Sequence, residues 1–349
     1  MKEGYRLLGD FIQPVDERNR DLKVDYLLGV SISKQFIPSI ANIVGTDLSS
    51  YKIVRTGQFA YGPVTSRNGE KISIALLRDK DCIISSSYTV FEVVNKNALD
   101  PEYLMLWFSR PEFDRYARYM SHGSVREIFD WDELCKVELP VPSIDKQRSI
   151  VKAYQTITER IELKRRINDN LEAVLAASHS KMFFSMDTSE HSKLGELMTF
   201  GNGKSRPKTD GPIPVYGGNG VLSYTDHHNI ENAVLIGRVG AYCGSVYLEQ
   251  GICWVSDNAI FAKSKITKDE FFDYFLLKRL NLFNHHVGTG QQLLTQEILN
   301  NIEVPKPVTE QIELFNRKAA SVFETLFTNS REIIRLQELS DLLLSRLAG

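Results

Sequence analysis

The sequence predicts an α+β fold made of two globular domains, each followed by a long helix. Its length of 349 residues fits about two domains. Short β-branched stretches at residues 82–93 and 233–239 predict strands between glycine-rich turns. Residues 99–113 and 266–280 are instead amphipathic, with acidic residues near their starts, and predict helices. Each domain should therefore combine strands with helices.

The two halves of the chain repeat one another. VELPVPSIDKQ at residues 137–147 and IEVPKPVTEQ at residues 302–311 share a Pro-x-Pro, and four further segments recur in the same order before them. The members of each pair lie roughly 165 to 186 residues apart, much farther than the 20 to 50 residues of a solenoid repeat. A tandem duplication of a whole domain is the interpretation. The further pairs are residues 8–12 and 194–198, 82–93 and 253–264, 99–108 and 266–277, and 123–134 and 288–299.

A change of periodicity after each Pro-x-Pro predicts the two long helices. Apolar positions from Ile312 to Leu347 are spaced alternately three and four residues apart, and a rougher copy runs from Ile150 to Leu175. Such a period is typical of a coiled coil. Helices of about 35 residues would each span about 50 Å. The predicted segments are a first domain at residues 1–144, a central helix at 145–186, a second domain at 187–307 and a C-terminal helix at 308–349.

Neither helix can bury its apolar seam alone. Because one chain carries two such helices of equal length, the economical solution is that they pack on each other. The alternatives are that each helix covers its own domain or pairs with a second copy of the protein. Asn168 and Asn329 are polar seam residues, and we expect them to select one register at some cost in stability.

Composition narrows the classes of protein. A net charge of -2 neither predicts nor excludes nucleic-acid binding, because the clustering of charge on one face decides it. The four cysteines show neither C-x-x-C spacing nor a nearby histidine pair, which predicts reduced core thiols and no metal site. The longest apolar runs are too short for a membrane span and the N-terminus resembles no signal peptide. A cytoplasmic protein with no membrane contact is therefore expected.

Polar side chains of both domains are concentrated in glycine-rich loops. Arg and Lys contact phosphates and guanine edges, Asn and Gln contact adenine, and glycine permits close approach of the backbone. These loops suit DNA recognition, although solvated loops have the same composition. The candidate DNA contacts are Tyr61, Ser66, Arg67, Asn68 and Lys71 in the first domain, and Lys204, Arg206, Lys208, Asn219, Arg238, Tyr242, Gln291 and Gln292 in the second. Two have structural alternatives: Asn219 could hold a positive-φ turn, and Arg238 could pair with Asp257.

Three motifs suggest other chemistry but are incomplete. Gly203-Lys204-Ser205 resembles the end of a phosphate-binding loop, yet Met198 stands where that motif needs a glycine. The E-x-K at residues 162–164 lies in the middle of a charged predicted helix, where a solvated face explains it. The histidine pairs at residues 227–228 and 285–286 lack metal-ligand spacing. No catalytic residues are predicted, so the chain is not expected to be an enzyme.

Longer segments resemble a known family. YKIVRTGQFAYGPVTSRNGEKISIA (51–75), CIISSSYTVFEV (82–93) and RINDNLEAVLAASHSKMFF (166–184) resemble the first half of type I restriction-modification specificity subunits. The second half of these subunits is similar to VYGGNG (215–220), IGRVGAYCG (236–244), WVSDNAIFA (254–262) and EQIELFNRKAASVFETL (310–326). The resemblance covers nearly the whole chain.

This resemblance implies two target-recognition domains held apart by two antiparallel helices, with internal pseudo-twofold symmetry. Each domain would read one half of a bipartite site in double-stranded DNA through the candidate residues above. The helices would set the spacing and dock two methyltransferase subunits, and restriction motor-nuclease subunits would join them. S-adenosylmethionine, ATP and Mg²⁺ would bind to the partner subunits, with no cofactor on this chain.

Two competing hypotheses stay open on the sequence. One is a methyltransferase or nuclease with unrecognised motifs, which S-adenosylmethionine binding by the isolated chain would support. The other is a protein-protein scaffold that does not bind DNA. Charge reversal at the basic loop residues separates a scaffold from a DNA reader, because only a DNA reader should fail.

Overall fold

The computed structural model describes residues 4–39, 45–66, 68–123, 126–184, 190–288 and 290–347. Contacts between Cα atoms divide the chain into two compact units. Unit 1 comprises Met1–Leu163 and Ile333–Gly349, and unit 2 comprises Lys164–Glu332. Each unit therefore contains one domain and a part of both long helices.

The domain of unit 1 is built from short strands and three short helices. Its main sheet has four antiparallel strands in the order β2-β9-β6-β7, and three separate strand pairs surround it. The strands are β1 (Tyr5–Leu7), β2 (Ile12–Val15), β3 (Leu28–Val30), β4 (Phe36–Pro38), β5 (Lys52–Val54), β6 (Phe59–Tyr61), β7 (Ile74–Leu76), β8 (Cys82–Ile84), β9 (Thr89–Val93) and β10 (Glu138–Pro140). The helices are α1 (Pro101–Phe108), α2 (Pro111–Tyr119), α3 (Trp131–Cys135) and the long α4 (Ile144–Phe184).

Aromatic side chains from the sheet and from α1 form the core of unit 1. The rings of Phe59 and Phe91 stack with centroids 4.9 Å apart, and Phe108 of α1 meets Phe59 edge-on at 5.9 Å. Helix α1 begins after Asp100, whose carboxylate accepts from the backbone N–H groups of the first turn. This capping aims the buried face of α1 at the sheet.

Unit 2 contains a larger, six-stranded sheet in the order β12-β17-β15-β16-β13-β14. All its neighbouring strands are antiparallel except β13 and β16, which are parallel. The strands are β11 (His191–Lys193), β12 (Met198–Asn202), β13 (Ile213–Gly217), β14 (Gly220–Thr225), β15 (Ile230–Gly237), β16 (Val246–Val255), β17 (Ala259–Ser264) and β18 (Glu303–Pro305). The helices are α5 (Leu194–Leu197), α6 (Phe271–Arg279), α7 (Gln296–Asn301) and the long α8 (Thr309–Arg346).

The internal repeat extends to the register of the strands. The order β2-β9-β6-β7 of unit 1 corresponds to β12-β17-β15-β16 of unit 2. Tyr61 pairs with Thr89 just as Ile236 pairs with Ile260. The backbone N–H of Leu8 donates to Val137 at 2.8 Å, and that of Leu194 donates to Ile302 at 2.9 Å. The α+β class and the tandem repeat are therefore confirmed.

The two long helices lie side by side in antiparallel directions within unit 2. Lys164 of α4 donates to the Asn329 side chain of α8 at 2.8 Å, and farther along α4 the His179 ring lies 5.4 Å from that of Phe315. As residue numbers rise along α4, they fall along α8. In unit 1, Val151 of α4 shares a buried cluster with Leu344 near the end of α8. The predicted pairing of the two helices within one chain is confirmed.

Each long helix is also bound to its own domain by a buried amide side chain. Gln147 in the first turns of α4 accepts from the N–H of Asp100 and donates to the carbonyls of Ala98 and Pro142. Asn316 of α8 accepts from the N–H of Phe272 and donates to two oxygens of the loop before α6. Both side chains are almost fully buried and each amide makes three hydrogen bonds, so replacing either would leave several polar groups without a partner.

The two predicted register residues lie in direct contact. Asn329 donates from its side-chain amide to Asn168 Oδ1 at 2.8 Å, and Lys164 forms an ion pair with Glu332 beside them at 2.7 Å. Asn329 is only 6% exposed. The two polar side chains therefore satisfy each other between the helices. Their role in selecting the register stays a prediction.

We expect Asn329→Leu to lower the free energy of unfolding by about 1–3 kcal/mol, because Asn168 would lose a donor and Lys164 an acceptor. The double variant Asn168→Leu/Asn329→Leu should recover part of this loss, since it removes both halves of the pair. Urea unfolding of the single and double variants measures the coupling. Asn170→Leu on the exposed face of α4 is the matched control. An Asn329→Leu variant as stable as the parent would show that the pair contributes nothing.

Candidate nucleic-acid interface

Four connecting segments of unit 2 that are distant in sequence meet at one end of its sheet. The N–H of Arg238 donates to the carbonyl of Asn258 at 3.0 Å, and the N–H of Gly240 donates to that of Gln292 at 3.0 Å. The Ser245 hydroxyl donates to the carbonyl of Gly218. These bonds connect the β13–β14 turn, the loop after β15, the β16–β17 turn and the loop before α7 into one surface.

Most of the predicted residues of unit 2 lie on this surface. Asn219, Tyr242 and Gln291 are exposed, whereas Arg238 and Gln292 are half-buried. The backbone of Lys204 continues from β12 and donates to Val255 at 2.9 Å, which places its exposed side chain beside the same turn. The surface therefore carries cations, amides and an exposed aromatic ring together.

Two predicted residues lie along the β13–β14 hairpin instead. Arg206 Nε donates to Ser223 Oγ of β14 at 3.1 Å. Lys208 is exposed and precedes Thr209, whose hydroxyl lies 3.0 Å from that of Thr225 at the far end of β14. Arg206 thus extends the basic surface along the hairpin, and Lys208 lies at the end away from Asn219.

The structural alternatives for two residues do not hold. Gly220, not Asn219, adopts the positive φ of the β13–β14 turn, at 77°. Within the described ranges, Arg238 forms no ion pair with Asp257, and its Nε is buried without a hydrogen-bond partner. Neither residue is therefore explained by the local role that the sequence suggested.

In unit 1, the predicted loop after β6 forms a compact turn. The N–H of Asn68 donates to Thr65 at 3.0 Å, and its side-chain amide donates to the carbonyl of Val64 at 3.3 Å. Ser66 and Lys71 are exposed. Arg67 lies outside the described residues. Ser66, Asn68 and Lys71 therefore share one turn at the surface.

The prediction that Tyr61 contacts DNA is wrong, because its side chain is fully buried. Its ring packs edge-on against Phe91 and Phe129, with centroids 6.2 and 6.5 Å away. Burial raises the pKa of the phenol above its usual range. Aligning the two halves would have revealed this, because Tyr61 corresponds to the buried strand residue Ile236.

Next to this turn, unit 1 has an open cavity of about 330 Å³ that the sequence interpretation did not include. Asn68 lines it together with Ser73, Ser87, Tyr88 and Arg126. Arg126 is absent from the DNA contacts predicted from the sequence, although it lies in the repeated segment at residues 123–134. Ser87 and Tyr88 lie in the turn between β8 and β9, inside a stretch that reads as one continuous strand.

The same hydrogen-bonded frame supports the loops of both units. In unit 1, His122 and Ile128 exchange backbone hydrogen bonds, and Thr65 donates to Glu127 at 2.9 Å. In unit 2, Val287 and Leu293 exchange the same bonds, and Gly240 donates to Gln292 at 3.0 Å. Gly62 likewise donates to Ser73 as Gly237 does to Ser245, at 2.9 and 2.8 Å. The frame is thus duplicated while the exposed side chains on it differ.

Comparison with known families gives this arrangement a context. Residues 39–173 and 186–342 match the family described as type I restriction modification DNA specificity domain. The chain belongs to this family. The match occurs twice, once in each half, in agreement with the duplicated frame.

Individual specificity subunits are distant in sequence. The type I restriction enzyme MjaIX specificity subunit of Methanocaldococcus jannaschii is 20% identical over 305 residues, covering 73% of this chain and 70% of that protein. The HindI specificity subunit of Haemophilus influenzae is 24% identical over 154 residues, covering 42% of this chain and 32% of that protein.

Solved structures share the fold. The crystal structure of a type I restriction-modification system S subunit from M. genitalium has a TM-score of 0.66 at 16% identity, covering 99% of this chain and 96% of that one. A solved chain from a structural study of complex assembly and conformational transition of the type I R-M system has a TM-score of 0.50 at 18% identity. It covers 99% of this chain and 98% of that one.

Membership in the specificity-subunit family confirms that this chain is non-catalytic. Specificity subunits bind no cofactor themselves, and catalysis lies on partner subunits. Within the part of the chain that the structure describes, no group of His, Cys, Asp and Glu side chains could hold a metal ion. None of the helices described there has both the length and the apolar character needed to cross a membrane.

Proposed function

We propose that this specificity subunit reads a bipartite site in double-stranded DNA, with one half-site for each domain. The duplicated frame carries the proposal. Equivalent backbone hydrogen bonds hold different side chains at equivalent places, for example Glu127 against Gln292. Two readers with one architecture and different side chains suit two half-sites of different sequence.

The chemistry of the exposed side chains supports contact with DNA. Lys204 and Arg206 are exposed and, among the described residues, form no ion pair with an acidic side chain. Their charges are therefore available to phosphates, which fix the position of a protein on the duplex. Asn219 and Gln291 offer amides of the kind that pair with adenine edges. A surface that combines both can hold the backbone and read bases.

The two long helices supply the spacing in this proposal. One uninterrupted helix of 41 residues, as α4 is, would be about 60 Å long, and one turn of B-DNA advances about 34 Å. A helix pair of this length is sufficient to hold two recognition domains more than one turn of DNA apart. It would make the gap between the half-sites a fixed property of the subunit.

The exposed apolar residues of the helices suit a docking role. Leu163 and Val174 of α4 are 51% and 65% exposed, and Ile334 of α8 is 60% exposed. Contiguous apolar surface that is left exposed is typical of a site that a partner covers. We assign the docking of two methyltransferase subunits, which motor-nuclease subunits would join, to the exposed faces of these helices. S-adenosylmethionine, ATP and Mg²⁺ would then be bound by those partners.

Mapping N6-methyladenine in the host by long-read sequencing, with the gene intact and deleted, tests the proposed function. Deletion should remove methylation at one split motif, two short words separated by a fixed gap, and the reintroduced gene should restore it. The purified complex with the methyltransferase subunit should bind duplexes carrying that motif with a strong dependence on salt. A complex that assembles normally but binds DNA without salt dependence and without preference for any motif would contradict the proposal and favour a scaffold.

A further inference from the structure

Arg126 and Gln291 occupy equivalent positions in the two corresponding loops, each three residues after a glycine. Gly123 and Gly288 both have positive φ, at 137° and 94°. A Cβ on Gly123 would lie 2.2 Å from the carbonyl oxygen of Arg126, and one on Gly288 would lie 2.4 Å from that of Gln291. The carbonyl groups of Arg126 and Gln291 therefore approach an equivalent glycine at nearly the same distance, which makes the two residues structural counterparts.

The side chains of these counterparts are available to a ligand. Arg126 and Gln291 are both exposed, and neither side chain forms a hydrogen bond or ion pair among the described residues. The following residues differ in this respect. Glu127 forms an ion pair with Arg118, and Gln292 is half-buried. Arg126 and Gln291 thus each offer a polar side chain that has no partner among the described residues.

Both residues lie beside the polar surface of their unit. Arg126 lines the 330 Å³ cavity together with Asn68 and Tyr88. Gln291 adjoins Gln292, whose carbonyl holds the loop that carries Tyr242. A base edge that reaches either surface would therefore meet Arg126 or Gln291 together with further donors and acceptors.

We propose that Arg126 and Gln291 are the equivalent specificity-determining residues of the two half-sites, with Arg126 reading guanine and Gln291 reading adenine. This inference rests on the proposed function. A guanidinium donates two hydrogen bonds to guanine O6 and N7, and a primary amide both donates and accepts at adenine N7 and N6. Because different residues stand at equivalent places, the two half-sites differ at the corresponding base pair.

Exchanging the two residues tests the proposal. The variants Arg126→Gln, Gln291→Arg and the double exchange are prepared as complexes with the methyltransferase subunit. Binding is measured on duplexes with the motif found by methylation mapping and on each single-base variant of it. Arg126→Gln should reduce discrimination at one guanine of one half-site by about tenfold to 100-fold. Gln291→Arg should do the same at one adenine of the other half-site, and the double exchange should change both.

Two control variants separate base recognition from a general effect of the substitution. Arg115→Gln makes the same substitution at an exposed position of α2 outside the loop and should leave discrimination unchanged. Arg126→Lys keeps the charge but loses the two-pronged donor, so it should lose discrimination nearly as fully as Arg126→Gln. Thermal unfolding of every variant checks that the complex remains folded.

The outcomes separate this inference from the proposed function. A parent complex that recognises no split motif would overturn both. A parent that recognises one, with Arg126→Gln retaining full discrimination, would overturn the inference alone. It would also be overturned if Arg126→Gln weakened binding equally on all sequences while Arg126→Lys restored it, because Arg126 would then contact only a phosphate.

Discussion

Replacing Lys204 and Arg206 together with glutamate should weaken DNA binding by the methyltransferase complex about 100-fold at physiological salt. Both side chains are exposed on the surface of unit 2, and Arg206 is oriented by its hydrogen bond to Ser223. Losing two phosphate contacts should also reduce the slope of log affinity against log salt by about 1.8. Fluorescence anisotropy titrations at several salt concentrations measure both quantities.

A matched charge reversal separates local contact from net charge. Lys265 follows β17 at the end opposite Ala259, and its N–H donates to Leu197, away from the recognition loops. Lys306 follows β18 and donates to the backbone of Glu190. The double variant Lys265→Glu/Lys306→Glu changes the net charge by the same amount and should retain most of the affinity. Equal losses in the two double variants would refute the assignment of this surface.

The second large effect is expected at Gly237, where β15 ends against its own following loop and the β13–β14 turn. A Cβ there would lie 2.1 Å from the carbonyl oxygen of Tyr242 and 2.9 Å from that of Gly218. Backbone atoms cannot move aside as a flexible side chain can, so Gly237→Ala should destabilise unit 2 by about 3 kcal/mol. Calorimetry should show a lower unfolding temperature, and binding to one half-site should be lost.

The same substitution at two other glycines should destabilise the protein less. At Gly62, the counterpart in unit 1, a Cβ would meet the Ser73 hydroxyl at 2.6 Å, and this side chain can rotate. At Gly218 the nearest atom is 3.6 Å away, an ordinary contact. The expected order of destabilisation is therefore Gly237→Ala, then Gly62→Ala, then Gly218→Ala. A Gly237→Ala variant as stable as Gly218→Ala would contradict the packing of these loops.

Features that follow from periodicity were predictable from the sequence. The heptad spacing from Ile312 to Leu347 depends only on which face of a helix is apolar, so it identified α8 without any tertiary information. It also placed Asn168 and Asn329 in the seams, and the structure brings their side chains into contact. The duplication was predictable because matched segments occur in matched order.

Features that depend on loop direction were not predictable. Tyr61 stands between a strand and a glycine turn, where composition alone does not distinguish a buried ring from an exposed one. The sequence does not predict that Arg126 and Asn68, which are 58 positions apart, line one cavity, because that placement depends on how the backbone folds. The stretch at residues 82–93 reads as one strand, whereas the structure interrupts it and exposes a turn between β8 and β9. Such choices depend on long-range backbone hydrogen bonds.

The buried amides of Gln147 and Asn316 determine where a junction can be placed when the domains of such a protein are exchanged. Each amide lies on a long helix but completes the hydrogen bonds of the domain that precedes it. A chimera joined at the Pro-x-Pro would combine a foreign domain with a helix whose buried amide is positioned for the hydrogen bonds of the original domain. A junction placed after Gln147 or Asn316 transfers the domain together with the buried amide that hydrogen-bonds to it. The natural module for grafting a new recognition domain is therefore the domain plus the first turns of its helix.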